Sequence, residues 1–205
     1  MIDYVFAITN TGEMNREYDY LPKAHVQTRY DEGFIRAVME NQKMHIKKHG
    51  LKSDKVKNVL LILDDVIGSL PPRNKTLQEL YSQGRHYKIS VILNIQISKN
   101  ELDTVIRDNI DYFIIGHNGR RAYSNLFYEL DFPGPEAEFQ RFMHDNCIDH
   151  QFILYNNKVI NSTDPRERFK IIKAEGKLDG YKAKFVKDKE MEVPVENKEE
   201  KVVEI

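Results

Sequence analysis

In the stretch "NVLLILDDVIGSL", residues 58–70, two adjacent aspartates follow directly after an apolar run. The five residues before Asp64 and Asp65 are all apolar, and a short continuous run of this kind is typical of a buried strand. Carboxylates are the hard oxygen ligands that Mg²⁺ prefers, and a carboxylate can also accept a proton from water. Because aspartate also begins loops well without doing any chemistry, the pair needs support from its surroundings.

The pair matches the Walker B arrangement of nucleotide hydrolases. In that arrangement the first acid, here Asp64, holds Mg²⁺, and the metal bridges the terminal phosphates of the nucleotide. The second acid, here Asp65, polarises the attacking water as a general base. The supporting strand must be rigid because in-line attack on a phosphate tolerates little misplacement.

Further polar and basic residues follow in the next part of the chain. The next apolar strand ends in Gln96, 31 residues after Asp65, and a polar residue at this place can touch the γ-phosphate or the attacking water. The stretch "QGRHY", residues 83–87, adds Arg85 and His86. Arg85 could lie over a phosphate or at a subunit boundary, or it could simply complement the dipole at a helix end.

Strands that alternate with helices must position these residues. Strands are predicted at 4–9, 58–65, 88–96, 110–118, 150–158 and 168–175, and helices at 31–50, 74–87, 98–109, 120–132 and 135–146. Most of these strands are apolar throughout, which predicts an α/β fold, a three-layer sandwich with a mostly parallel sheet. Ligands of such sheets bind at the carboxyl ends of the strands. Asp64, Asp65 and Gln96 are therefore expected at one edge.

The composition restricts the setting. The chain has 205 residues and a net charge of −1, enough for one sizeable domain and no overall attraction to nucleic acid. Cys147 is its one cysteine, which excludes an intrachain disulfide and fits a reduced, intracellular setting. No apolar run approaches the length of a membrane span. Residues 1–178 are expected to form the core, and the charge-rich residues 179–205 a disordered tail.

Three stretches together carry a family likeness: "LLILDDVIGSL", "LQELYSQGRHYKISVILNIQ" and "VIRDNIDYFIIGHNGRR". They resemble the genome-packaging ATPases of large DNA viruses, the poxvirus-type branch of the FtsK–HerA superfamily. The resemblance spans roughly residues 3–130. It rests on the aspartate pair, the Gly-Arg-His sequence before a buried strand, the glutamine at a strand end and the Arg-x-Asn of "IRDN".

The resemblance implies an ATPase that uses ATP and Mg²⁺ and drives double-stranded DNA into a capsid. Asp64 would bind the magnesium, Asp65 would be the catalytic acid, and Gln96 would sense the γ-phosphate. A homo-oligomeric ring, contacts with capsid or portal-vertex proteins, and a location in the virus factory or virion are also implied. The candidates for an arginine finger that reaches a neighbouring subunit are Arg85, Arg107, Arg120 and Arg121.

One hallmark of the family is absent from these 205 residues, which contain no G-x-x-x-x-G-K-[ST]. The nearest fragment, "HGLKSD" at 49–54, lacks a glycine directly before its lysine and is not accepted as a phosphate-binding loop. In the family this loop precedes a strand like "DYVFAIT", so here it is expected before Met1. Without it a nucleoside triphosphate has no strong anchor, and poor hydrolysis by the chain alone is expected. Loss of the strand that feeds the loop should also expose neighbouring strand edges.

Two alternatives stay open. The first is a non-catalytic descendant of the same fold that serves in assembly or contacts DNA. The second is a Mg²⁺-dependent nuclease that uses Asp64 and Asp65, which is weaker because no further acids stand at obvious strand ends. The sequence shows no HExxH, zinc finger or G-x-S-x-G motif, so zinc chemistry and serine hydrolysis find no support.

Overall fold

A computed structural model describes residues 1–11, 18–66, 73–95, 104–159 and 164–174. The chain divides between Ile95 and Gln96 into two compact units, each of which has its own sheet. The predicted boundary at residue 178 and the tail beyond it lie outside the described residues. No helix in the described part of the chain combines the length and apolar character needed to cross a bilayer.

The first unit is built on a parallel sheet. Its strands, in chain order, are β1 (Tyr4–Thr9), β2 (Val26–Gln27), β3 (Val59–Asp64) and β4 (Ile89–Asn94). They lie side by side in the order β2-β1-β3-β4, and every pair is parallel. The prediction of an α/β fold with a parallel sheet is confirmed.

Two helices cover one face of this sheet. They are α1 (Glu32–His49) and α2 (Lys75–Gln83), and a 3₁₀ turn, Gly84–Tyr87, leads from α2 into β4. Phe34 of α1 meets Phe6 of β1 edge to face, while on the other face Ile92 of β4 is 51% exposed. The side chains of Asp31 and Asn74 accept hydrogen bonds from backbone N–H groups three residues on, as N-caps do.

The second unit contains the remaining elements: α3 (Thr104–Asp108), β5 (Tyr112–Ile115), α4 (Arg120–Phe127), α5 (Glu136–Asn146), β6 (Gln151–Asn156), α6 (Pro165–Arg168) and β7 (Phe169–Lys173). Its three strands form an antiparallel sheet in the order β5-β6-β7. The sequence pattern did not separate these strands from the parallel ones. Tyr112 and Ile114 are exposed although they are large and apolar, so the polar alternation that marks a one-sided antiparallel sheet is missing.

The core of the second unit lies between its sheet and the helices α4 and α5. Ile115, Phe139, Met143 and Ile153 are almost fully buried there. Cys147, directly after α5, is 2% exposed, and its thiol donates a 3.4 Å hydrogen bond to the carbonyl of Ile115. Burial raises the pKa of this thiol. Cys147 is therefore a packing residue of this core.

Candidate functional site

Three polar residues end three neighbouring strands of the parallel sheet, β1, β3 and β4, at the same level. Thr9 of β1 lies opposite Asp64 of β3, and Asp64 lies opposite Asn94 of β4. This alignment follows from three strands of six residues each that pair in step. The carboxyl edge of the sheet is the place where such folds bind ligands.

Asp64 is held from two sides. Its side chain is 6% exposed. Nδ2 of Asn94 donates to Oδ1 at 2.8 Å, and the hydroxyl of Tyr18 donates to Oδ2 at 3.0 Å. The two neutral donors fix the carboxylate plane without neutralising its charge, so the group can still attract a cation.

The oxygen atoms at this edge suit Mg²⁺. The carboxylate of Asp64 and the hydroxyl of the fully buried Thr9 are hard oxygen donors, the kind that magnesium selects. The described residues contain no cluster of three or more histidine, cysteine or acidic side chains that could enclose a metal. One carboxylate at a strand end fits Mg²⁺ nonetheless, because this ion usually keeps several waters and takes substrate phosphates as ligands.

Asp65 leaves the strand in a left-handed conformation, with φ of 53°. Its backbone is tied on both sides: its N–H donates to the carbonyl of Asn94 at 3.2 Å, and its carbonyl accepts from Nδ2 of Asn10 at 3.0 Å. The side chain of Asp65 is exposed, whereas Asp64 and Val66 on either side are buried. The arrangement presents a solvent-accessible carboxylate directly beside the buried one, and such a carboxylate can accept a proton from water.

A polar network joins the starts of α1 and α2, which follow β2 and β3 at the same edge. The carboxylate of Glu32 accepts from Oγ1 of Thr76 at 2.7 Å and from the guanidinium of Arg36 at 2.6 Å. These hydrogen bonds lower the pKa of Glu32. Burial, followed by the nearby charge of Glu32, raises the pKa of Tyr30 to about 12. The network fixes the point where the chain re-enters a helix after the aspartate pair.

Gln96, the predicted γ-phosphate sensor, lies outside the described residues, so its approach to the acids stays a prediction. The strand predicted for 88–96 ends at Asn94, and Asn94 is the polar residue that lies beside Asp64. Sequence reasoning missed Asn94 as a site residue. The signal was present in "ILNIQ", where Asn94 and Gln96 have the same parity and both can face the edge.

The structure places Arg85 far from Asp64 within the first unit. Arg85 is an exposed residue of the 3₁₀ turn that precedes β4, so the length of β4, about 20 Å, separates it from the level of the acids. This position does not favour contact with a phosphate at the same chain's Asp64. A role at a subunit boundary stays a prediction.

The other arginine-finger candidates belong to the second unit. Arg107 of α3 is ion-paired with Glu129 and donates to Oγ1 of Thr104 at 3.3 Å, so a role in a neighbouring subunit requires it to leave this pair. Arg120 and Arg121 are exposed in the first turn of α4. Positive charge is unfavourable at a helix N-terminus, which leaves both side chains better suited to an external anion than to their own helix.

The fragment "HGLKSD" lies at the wrong edge of the sheet for a phosphate-binding loop that would serve Asp64. It runs from the end of α1 towards the start of β3. Asp64 stands at the opposite end of that strand. The position supports the decision to set the fragment aside.

Comparison with known proteins identifies the family. The family model described as Poxvirus A32 protein matches residues 2–144. The chain belongs to this family. The resemblance to the poxvirus-type packaging ATPases that the sequence predicted is confirmed.

A curated viral protein also matches this chain in sequence. "Uncharacterized protein 075L" of Invertebrate iridescent virus 6 is 28% identical over 137 residues, which cover 66% of this chain and 51% of that protein. The chain thus spans about half the length of the curated relative it matches.

Two solved structures share the fold. One is the genome packaging NTPase B204 from Sulfolobus turreted icosahedral virus 2 in complex with AMPPCP, with a TM-score of 0.54. The other is B204, the DNA-packaging ATPase from Sulfolobus turreted icosahedral virus, with a TM-score of 0.56. Each is 18% identical, and each match covers 84% of this chain and 82% of the other. At this identity the likeness establishes the fold of the A32-family chain.

Proposed function

We propose that this A32-family chain is part of a viral genome-packaging ATPase, in which ATP hydrolysis drives double-stranded DNA into a capsid. The observation that carries the proposal is the acid pair at the carboxyl edge of the parallel sheet. Asp64 is buried there and held by Asn94 and Tyr18, and the exposed Asp65 follows it. The shared fold with B204, which is described as a packaging ATPase and was solved with an ATP analogue, supports the nucleotide as substrate.

In the proposed mechanism the two acids have different roles, metal binding for Asp64 and proton transfer for Asp65. Asp64, with Thr9 beside it, would hold Mg²⁺, and the bound ion would supply positive charge to the β- and γ-phosphates. Asp65 accepts a proton from the water whose oxygen attacks the γ-phosphorus. The bond from that phosphorus to the β–γ bridging oxygen breaks, and ADP and phosphate result. Gln96 is proposed to orient the γ-phosphate or the water.

The phosphates also need an anchor, which these 205 residues do not contain as a recognisable motif. We infer that a G-x-x-x-x-G-K-[ST] segment from additional polypeptide supplies it. Among the described residues β4 pairs with β3 alone, which leaves an edge where a further strand fits. A parallel strand docked there would end beside Asn94, one strand away from Asp64.

The test is steady-state phosphate release with and without a phosphate-loop segment of an A32-family protein, added as an N-terminal fusion or as a separate fragment. We expect little turnover from the 205 residues alone, restored turnover with the segment, and loss of that turnover in Asp65→Asn. The matched control is Asp54→Asn, an exposed aspartate before the start of β3. Robust Asp65-dependent turnover without the segment would show that the anchor is already present.

The remaining outcomes separate the alternatives. Restored turnover that Asp65→Asn leaves unchanged would overturn the Walker B assignment. No turnover in any form, together with retained DNA binding, would favour the non-catalytic descendant. Mg²⁺-dependent cleavage of duplex DNA that Asp64→Asn abolishes would favour the nuclease. Oligomeric ring formation and capsid or portal contacts are part of the proposal, and sedimentation with DNA and nucleotide tests the ring.

A further inference from the structure

A dense group of lysines lies at the edge of the parallel sheet opposite Asp64. We call residues 47–57, from the last turn of α1 to the start of β3, the basic loop. It exposes five lysines, Lys47, Lys48, Lys52, Lys55 and Lys57, against the single acid Asp54. No ion pair of these five lysines occurs among the residues that the structure describes. The concentration of charge is local, because the whole chain has a net charge of −1.

The backbone of the basic loop is anchored. Nζ of Lys88 donates to the carbonyls of Val56 at 2.9 Å and Ser53 at 3.4 Å. Nε2 of Gln42, a side chain that is 1% exposed, donates to the carbonyl of Lys57 at 2.8 Å. Two turn hydrogen bonds, Ser53 N–H to the carbonyl of Gly50 and Val56 N–H to that of Ser53, both 3.1 Å, complete the anchor.

A fixed backbone matters for binding. A surface that must order its backbone when it binds loses part of its binding free energy to that ordering. The basic loop presents its lysines from a backbone that is already hydrogen-bonded to α1 and to the start of β4. On binding, only the lysine side chains would have to become ordered.

Two lysines of the basic loop act on the same histidine. The pKa of His49 is lowered, first by desolvation and then by the neighbouring charges of Lys55 and Lys48. These lysines come from the end of α1 and from the connection that follows it, so two separate parts of the loop act on one point. Lys48 and Lys55 therefore share one electrostatic environment.

We propose that the basic loop binds the phosphate backbone of duplex DNA. The charge alone suits a polyanion, and the choice of DNA rests on the proposed function. Lysines that neutralise phosphates give binding that does not depend on base sequence, which a machine that moves an entire genome requires. No described feature of the loop indicates sequence-specific recognition of base edges.

The loop and the acid pair lie at opposite ends of β3. A strand of six residues spans about 20 Å, so substitutions in the loop should leave the carboxyl edge unchanged. The two sites can therefore be tested independently on the same protein.

The experiment measures binding of the complete chain to a fluorescent 30-base-pair duplex, without nucleotide, between about 50 and 200 mM salt. The variant carries Lys52→Gln, Lys55→Gln and Lys57→Gln. We expect affinity to fall at least about tenfold and the slope of log K against log salt to decrease in magnitude by about 0.9 for each lost phosphate contact. The control variant carries Lys23→Gln, Lys170→Gln and Lys173→Gln. These substitutions change the net charge by the same amount as the loop variant, at exposed positions outside the loop.

Two results would overturn the inference. The first is a loop variant that keeps the affinity and salt slope of the wild type, or that loses no more than the control. The second is unchanged DNA binding with lost binding to polyglutamate, which assigns the loop to an acidic protein. Failure of the ATPase proposal is separate, because DNA binding that depends on the loop can persist in a chain that shows no Asp65-dependent turnover.

Discussion

The side-chain amide of Asn94 donates a hydrogen bond to Oδ1 of Asp64 at 2.8 Å, from one parallel strand to its neighbour. The bond couples the acid on β3 to the end of β4. A displacement of Asn94 would therefore change the orientation of the Asp64 carboxylate.

Loss of this bond should weaken metal binding. We expect Asn94→Ala to reduce the apparent Mg²⁺ affinity, or the metal-dependent turnover of the segment-supplemented protein, by about 10- to 100-fold, as is usual when a partner of a metal ligand is removed. Manganese titration followed by electron paramagnetic resonance measures the affinity directly. Ser90→Ala, an exposed position on the same strand, is the control. Unchanged metal affinity in Asn94→Ala would contradict the role of this bond.

The left-handed backbone of Asp65 determines which substitutions at this position should lower the free energy of unfolding. At φ of 53° asparagine and glycine are tolerated, whereas a residue with an ordinary Cβ costs about 1–2 kcal/mol. We expect Asp65→Asn and Asp65→Gly to stay near the wild type in free energy of unfolding, and Asp65→Ala to lose about 1 kcal/mol. Denaturant titration measures the differences. If alanine is tolerated as well as asparagine, the backbone there is not left-handed.

The Glu32 network makes stability depend on pH. Hydrogen bonds, first from Thr76 and then from Arg36, lower the pKa of Glu32 below 4.5. The stabilisation is therefore complete above about pH 4.5 and is lost as the pH falls through the lowered pKa of the folded state. We expect Glu32→Gln to melt below the wild type at pH 7 and the difference to shrink towards pH 3. Glu40→Gln, which removes an exposed ion pair of the same helix, is the control and should show a smaller difference.

Cys147 should report the opening of the second unit. The thiol is buried, its pKa is raised by that burial, and it is the one cysteine of the chain. We expect a disulfide reagent to modify the native protein slowly, at a rate that rises with denaturant, because the thiolate forms and becomes accessible only on opening. Ser90→Cys in a Cys147→Ser background, which exposes a thiol on β4, should react quickly. Rapid stoichiometric modification of native Cys147 would contradict the packing described here.

Much of the first unit could be predicted from the sequence, because its strands are continuous apolar runs and its helices carry side-chain caps. Asp64 at a strand end followed directly from five apolar residues before an acid. Asn94 did not, since "ILNIQ" offers two polar residues that can end the strand and only pairing with β3 decides between them. Tyr18 was also missed. It meets Asp64 across 46 residues of sequence, a contact that no local pattern encodes.

The anchored backbone of the basic loop also bears on proteolysis. Trypsin cleaves after lysine, and the basic loop contains five lysines. The protease nevertheless needs several residues of locally unfolded chain around the bond that it cuts. The hydrogen bonds from Lys88 and Gln42 to this backbone oppose that opening. Cleavage after Lys52, Lys55 or Lys57 is therefore expected to be slow in the native protein, and the appearance of these cuts would mark the release of the loop from α1 and the start of β4.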